Sequence, residues 1–189
     1  MIVTAAHVCL PMPGELQNGD AVVVRHSVVG NCILAVIDGL GHGPDAAAAS
    51  RAAVGVLDLL SFDTSVFDAM QEMHQALRGT RGAAATLCII KDFQLEICAV
   101  GNVALMCTNC TIPLVLSAGV LGHQVNKFRV GACRISNRAR VALLSDGVSV
   151  RFRLEDYKHL EPADAAREIM GRYRRKEDDA TVLVADVRD

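Results

Sequence analysis

The chain has 189 residues, a formal net charge of -2, 51% hydrophobic and 4% aromatic residues, and no Trp. This length suits one domain with a self-sufficient core, so residues 1–189 read as a single domain with no regulatory domain. The hydrophobic share excludes a disordered chain, and the charge excludes broad attraction to nucleic acid or an anionic membrane.

Ile2 to Leu10 can form a strand, and Pro11, Pro13 and Gly14 then impose a loop that ends at Asn18-Gly19-Asp20. Ala21 to Val28 and Cys32 to Ile37 are β-rich runs with a hairpin signal at Gly30-Asn31. The second run stops at Asp38-Gly39-Leu40-Gly41-His42-Gly43. Pro44 and Asp45 suit the first turn of a helix, and Ala46, Ala49, Ala53, Leu57 and Leu60 give it one apolar face. A second helix is expected from Asp63 or Thr64, with Val66, Met70, Met73 and Leu77 as its stripe. That spacing reads the two methionines as core residues.

Strands are expected at Ala84–Ile90, Leu95–Val100, Val103–Cys107, Ile112–Leu116, Gln124–Val130 and Val141–Leu144. Pro162 opens a last helix, whose buried face is Ala166, Ile169, Met170 and Tyr173. Ala180 to Val187 is the closing strand. Runs of strands alternating with helix pairs indicate an α+β protein with helix-covered antiparallel sheets. The most apolar region, Ala83 to Met106, is broken by Lys91, Asp92, Gln94 and Glu96, so no transmembrane helix is expected.

Seven cysteines, an odd number, and an N-terminus unlike a signal peptide argue for reduced thiols and a cytoplasmic setting. Cys107-Thr-Asn-Cys110 has the spacing of half a zinc site, but no second pair matches it, so a turn flanked by two thiols is expected. The basic run from Arg172 to Lys176 reads as the solvated end of a helix.

Three acidic positions share one context. Asp38 and Asp146 each end an apolar run and precede a glycine, and Asp178-Asp179 immediately precede another run. Alone, each is ordinary turn chemistry. If their strands are neighbours, the carboxylates converge at one rim and repel one another unless a cation lies between them. Such hard oxygen donors suit Mg²⁺ or Mn²⁺. A glycine after the aspartate would let backbone approach a metal or ligand closely.

Six pieces of sequence, in order, carry a resemblance. They are Asn18-Gly19-Asp20, Ala35 to Gly43, Gly82 to Leu87, Ala99-Val100-Gly101-Asn102, Leu143 to Gly147, and Asp178 to Val184. With this order and spacing the chain resembles the metal-dependent PPM, or PP2C, serine/threonine phosphatases across almost its whole length. It looks closest to their bacterial SpoIIE-like branch, and within it to the stand-alone feedback phosphatase of the stressosome.

The resemblance implies a PP2C-like β-sandwich of two antiparallel sheets flanked by helices, in α-β-β-α layers. It implies two Mn²⁺ or Mg²⁺ ions bridged by Asp38, with the Gly39 carbonyl on the first ion and Asp146 and Asp178 on the second. Asp179 is the alternative to Asp178 if the register slips by one, and Asp20 would act through water. A hydroxide shared by the two ions would attack phosphoserine or phosphothreonine of a protein substrate. That substrate is expected among stressosome-type scaffold proteins, with no nucleic-acid or membrane partner.

His42 is the local candidate for protonating the leaving group, although Leu40-Gly41 displace it from the position usual in relatives. The loop Pro11 to Asn18 lacks the Arg that clamps phosphate in many relatives, so phosphate binding would rest on the metals, the substrate protein or another Arg; Arg78 and Arg81 are candidates that a helix C-terminus explains equally well. Asn102 stands where relatives carry Asp, and the flap of larger relatives is abbreviated. These departures keep a second reading open, a non-catalytic phosphatase-fold module that binds a phosphoprotein or regulatory partner. A two-metal nuclease would use similar chemistry but lacks a basic groove.

Overall fold

A computed structural model describes residues 1–113 and 116–189. Nine strands and three α-helices form among them: β1 Ile2–Leu10, β2 Asp20–His26, β3 Cys32–Gly39, α1 Gly43–Leu59, α2 Val66–Ala76, β4 Ala83–Lys91, β5 Gln94–Val100, β6 Ala104–Cys107, β7 Val130–Arg134, β8 Ala139–Leu144, α3 Pro162–Tyr173 and β9 Ala180–Arg188. One antiparallel sheet has the order β1-β9-β8-β6 and the other β2-β3-β4-β5-β7.

Strand β3 shows how the layers are made. Ile33, Ala35 and Ile37 face a core shared with α1 and α2 through Ala49, Ala53, Leu57, Met70 and Met73. The alternate residues Cys32, Leu34 and Val36 face a second core shared with Leu143, Leu183 and Ala185 of the other sheet. Period-two alternation therefore feeds two apolar layers, which is why β3 reads as an unbroken hydrophobic run. Ala142, Leu144, Val182 and Val184 pack on the outer side against Ile169 and Met170 of α3. The result is the expected α-β-β-α order.

Several boundaries differ from the sequence expectation. The hairpin strand ends at His26, because Ser27 to Gly30 closes the turn, with the Gly30 amide donating to the Ser27 carbonyl at 3.1 Å. Helix α2 begins at Val66, because the Ser65 hydroxyl accepts from the Asp68 amide and serves as its N-cap.

The expected strand Gln124–Val130 does not form. Val125 and Phe128 instead anchor that segment in the helix-side core, Phe128 meeting Phe67 edge-on at 6.0 Å. The strand instead begins where the expected one would end, at Val130–Arg134 against β5. Its glycine, Gly131, admits the Pro113 carbonyl, which a Cβ would meet at 2.6 Å. The expected strand Ile112–Leu116 includes Leu114 and Val115, outside the described residues, and its described residues Ile112, Pro113 and Leu116 belong to no strand.

Two arginines tie layers together. Arg25 donates through Nη1 to the carbonyls of Leu57 and Leu60, satisfying the open end of α1, and stacks over Phe62. Arg140 of β8 is 3% exposed, and its guanidinium grips Asp186 of β9 with Nε at 2.6 Å and Nη2 at 2.8 Å. It also donates to the carbonyls of Tyr157 and Leu160. Truncating one partner of such a pair strands a buried charge. Arg140→Ala is expected to cost about 3–5 kcal/mol in chemical denaturation, and a loss below ~1 kcal/mol would contradict this.

Among the described residues no helix is long and apolar enough to cross a membrane.

Candidate metal centre

The antiparallel register brings the predicted acids to one rim. Asp20 opens β2 directly opposite Asp38 near the end of β3. Leu144, the last residue of β8, pairs with Val182 of β9. Asp146 therefore leaves one strand where Asp178 and Asp179 enter its neighbour. The sandwich stacks these two rim segments against each other, as the 2.7 Å hydrogen bond from the Ser145 hydroxyl to Asp20 Oδ2 records.

The electrostatics follow from this crowding. Burial pushes the Asp38 carboxyl up to about 8, and the charges of Asp20, Asp146, Asp178 and Asp179 push the same way. Burial raises Asp20 to about 6 against the opposing hydrogen bond from Ser145. Asp146 is raised by burial and by Asp178, and the positive charge of Arg175 partly offsets this.

The two neighbouring aspartates have different jobs. Asp179 is 3% exposed, and its oxygens accept from the Met12 amide at 2.8 Å and the Gly19 amide at 2.9 Å. It pins the loop between β1 and β2. Asp178 is more open, takes the Asp179 amide on Oδ1 at 2.8 Å, and lies against Asp146.

The two glycines also have a more specific reason than the sequence suggested. A Cβ on Gly39 would overlap the Ala46 carbonyl, and one on Gly147 would overlap the Asp179 carbonyl. Their absence lets α1 and the β9 entry close onto the rim.

His42 stands at the N-cap of α1, half exposed, with Nδ1 at 2.6 Å from Glu15 Oε1. No hydrogen bond joins it to the aspartates among the described residues. Arg81 pairs with Asp45 at 3.1 Å beside Gly41. The basic run divides. Arg172 bonds Glu168 on the helix surface, as a solvated helix end would. Arg174 turns inward to the Pro11 carbonyl at 2.6 Å. The Arg175 amide donates to the Gly147 carbonyl at 2.7 Å, which sets this residue beside Asp146. The end of α3 at Tyr173, the residue that interrupts the run, separates its members.

The donor set suits a hard divalent cation. Buried carboxylates crowd together with one nearby guanidinium to offset them, and the buried Asn18 Nδ2 has no protein partner in the wall behind Asp20. The side chains as they stand do not close a coordination shell: among the described residues no three His, Cys, Asp or Glu groups converge on one point. Asn102 Nδ2 donates to Asp146 Oδ2 at 2.6 Å. All seven cysteines, Cys107 and Cys110 among them, are free thiols.

This architecture is that of the PP2C-type phosphatases, as solved structures establish. No family model matches the chain, and no curated protein does. A chain solved in work on the bacterial stressosome, described as a modular system adapted to control secondary messenger signaling, is similar at 28% identity and TM-score 0.90, covering 98% of this chain and 100% of that one. RsbX in complex with magnesium is similar at 21% identity and TM-score 0.84, over 97% and 94% of the two chains. The catalytic domain of the serine/threonine phosphatase PstP with two manganese ions follows at 20% identity and TM-score 0.75, over 100% and 99%.

Proposed function

We propose that the chain is a metal-dependent phosphoprotein phosphatase acting on phosphoserine or phosphothreonine of a stressosome-type protein in the cytoplasm. The observation that carries this reading is the rim of Asp20, Asp38, Asp146 and Asp178, held by four strand ends in a PP2C-type fold with little compensating charge. Asp38, the Gly39 carbonyl, Asp146 and Asp178 would hold two Mn²⁺ or Mg²⁺ ions. When bound, the ions supply an activated water and neutralise phosphoryl charge. Asp20, fixed by Ser145, orients the Asp38 side of the rim from behind.

In this reading Arg175 takes the part of the missing phosphate clamp, because it brings a cation to Asp146 from the end of α3. His42 supplies the proton to the departing serine oxygen from Nε2, with Glu15 fixing the ring through Nδ1. The purified chain should hydrolyse a phosphoserine protein with Mn²⁺ and stop with EDTA. Arg175→Ala should raise KM about tenfold with kcat little changed, and His42→Ala should lower kcat at least ~100-fold. Turnover that persists in EDTA would overturn the reading.

The bond from Asn102 to Asp146 and the open shell favour one second reading, a module that binds a phosphoprotein without cleaving it. Tight binding of a phosphoprotein, with neither Mn²⁺ uptake in calorimetry nor turnover, would select it.

A further inference from the structure

One cavity lies far from the acidic rim. It measures about 570 Å³ and is lined by Asn109, Arg138, Arg140, Lys158, Asp186 and Arg188. Arg140 sits at the start of β8 and Asp146 just beyond its end, so six strand steps, about 20 Å, separate the two sites.

The cavity is built around the buried Arg140–Asp186 pair. The Arg140 guanidinium is used up by Asp186 and by the Tyr157 and Leu160 carbonyls, so it forms a fixed floor. Above it stand three more cations. Lys158 follows the short 3-10 turn Leu154–Tyr157 and reaches Asn109 Oδ1 at 3.2 Å. Arg188 leans on Asp186 at 3.3 Å and on Glu161 at 3.7 Å. Arg138 occupies the turn before β8 with φ +66°, a conformation that costs a side-chain-bearing residue about 1 kcal/mol or more. Its amide is anchored to the Val187 carbonyl at 2.8 Å, and among the described residues its guanidinium has no ion-pair partner.

Four cations, Arg138, Arg140, Lys158 and Arg188, thus face one carboxylate, Asp186, across the cavity, with Glu161 outside it. That leaves about three positive charges in a chain whose total is -2. Converging like charges repel, and a concave low-dielectric wall strengthens their field toward an anion. Guanidinium and ammonium donors match phosphate oxygens, and the volume falls within the range of small-molecule sites, about 300–1,000 Å³.

We propose that this cavity is a binding site for a small phosphate-bearing anion, between pyrophosphate and a nucleotide in size, separate from the metal centre. Titration calorimetry of the full chain in EDTA, with pyrophosphate in one arm and ATP in the other, tests it. One anion per chain is expected in at least one arm; heat in both identifies the phosphate groups as the ligand, and heat with ATP alone identifies the nucleotide. The double substitution Arg138→Gln and Lys158→Gln should weaken binding at least tenfold while turnover is retained, and Asp38→Asn should leave it intact. If the double variant melts early, Lys158→Gln alone, on an exposed side chain, is expected to weaken binding severalfold. No heat in either arm, equal affinity in the variants, or loss of binding in Asp38→Asn would overturn the proposal, as would equal competition by chloride at matched ionic strength.

Discussion

Asp38→Asn is expected to abolish Mn²⁺-dependent turnover, by at least ~1,000-fold, while making the metal-free protein more stable. Both effects have one cause. The folded rim holds Asp38 at about 8, far above an ordinary carboxylate, through burial and then the neighbouring acids. A group raised in the folded state contributes full stability below its unfolded value and loses it as pH rises through the folded value. The metal-free wild type should therefore lose stability from about pH 4 to pH 8, with Asp20 contributing around pH 6. Asparagine keeps the shape and removes the charge, so the variant's advantage should grow across that window. At neutral pH it should reach about 2 kcal/mol or more. Thermal melts of both proteins in EDTA at pH 5, 6, 7 and 8 measure this. A variant advantage that is absent or shrinks with pH would refute the electrostatic account.

Substituting the two adjacent aspartates should separate structure from chemistry. Asp179→Ala removes the acceptor of two backbone amides, Met12 and Gly19, in a buried setting. Each stranded donor costs about 1–3 kcal/mol, so the loss should reach roughly 2–5 kcal/mol and loosen the loop between β1 and β2. Asp178→Ala leaves those two amides paired and frees only the half-buried Asp179 amide, so it should cost about 1 kcal/mol, well below Asp179→Ala, in EDTA while eliminating turnover. Denaturant titrations together with the phosphatase assay decide between them. Equal destabilisation by the two substitutions would show that Asp178 is also a structural residue.

Much of this was legible in the sequence because the informative residues sit at strand ends. An apolar run that stops at Asp-Gly announces both a buried strand and an acid at its rim, and Asp38 and Asp146 were found that way. The choice between Asp178 and Asp179 was not legible. The two differ in which carboxylate the amides of Met12 and Gly19 reach, 167 and 160 residues away.

The same holds for the purpose of Gly39 and Gly147. The approaching groups are the carbonyls of Ala46 and Asp179, and no local pattern reports them. The misplaced strand near Gln124 arose because Phe128-Arg129-Val130 alternates like a strand, whereas Val125 and Phe128 both anchor a loop. No sequence pattern singles out Arg140, just outside the expected strand Val141–Leu144, or Asp186, and only the register of β8 with β9 makes them a buried pair.

The central claim is that the acidic rim is a two-metal centre. Calorimetric titration of Mn²⁺ into the metal-free full chain tests it most directly. Two ions per chain are predicted for the wild type, with uptake lost when Asp38→Asn and Asp146→Asn are combined. No uptake at millimolar Mn²⁺, or unchanged uptake in the double variant, would contradict it.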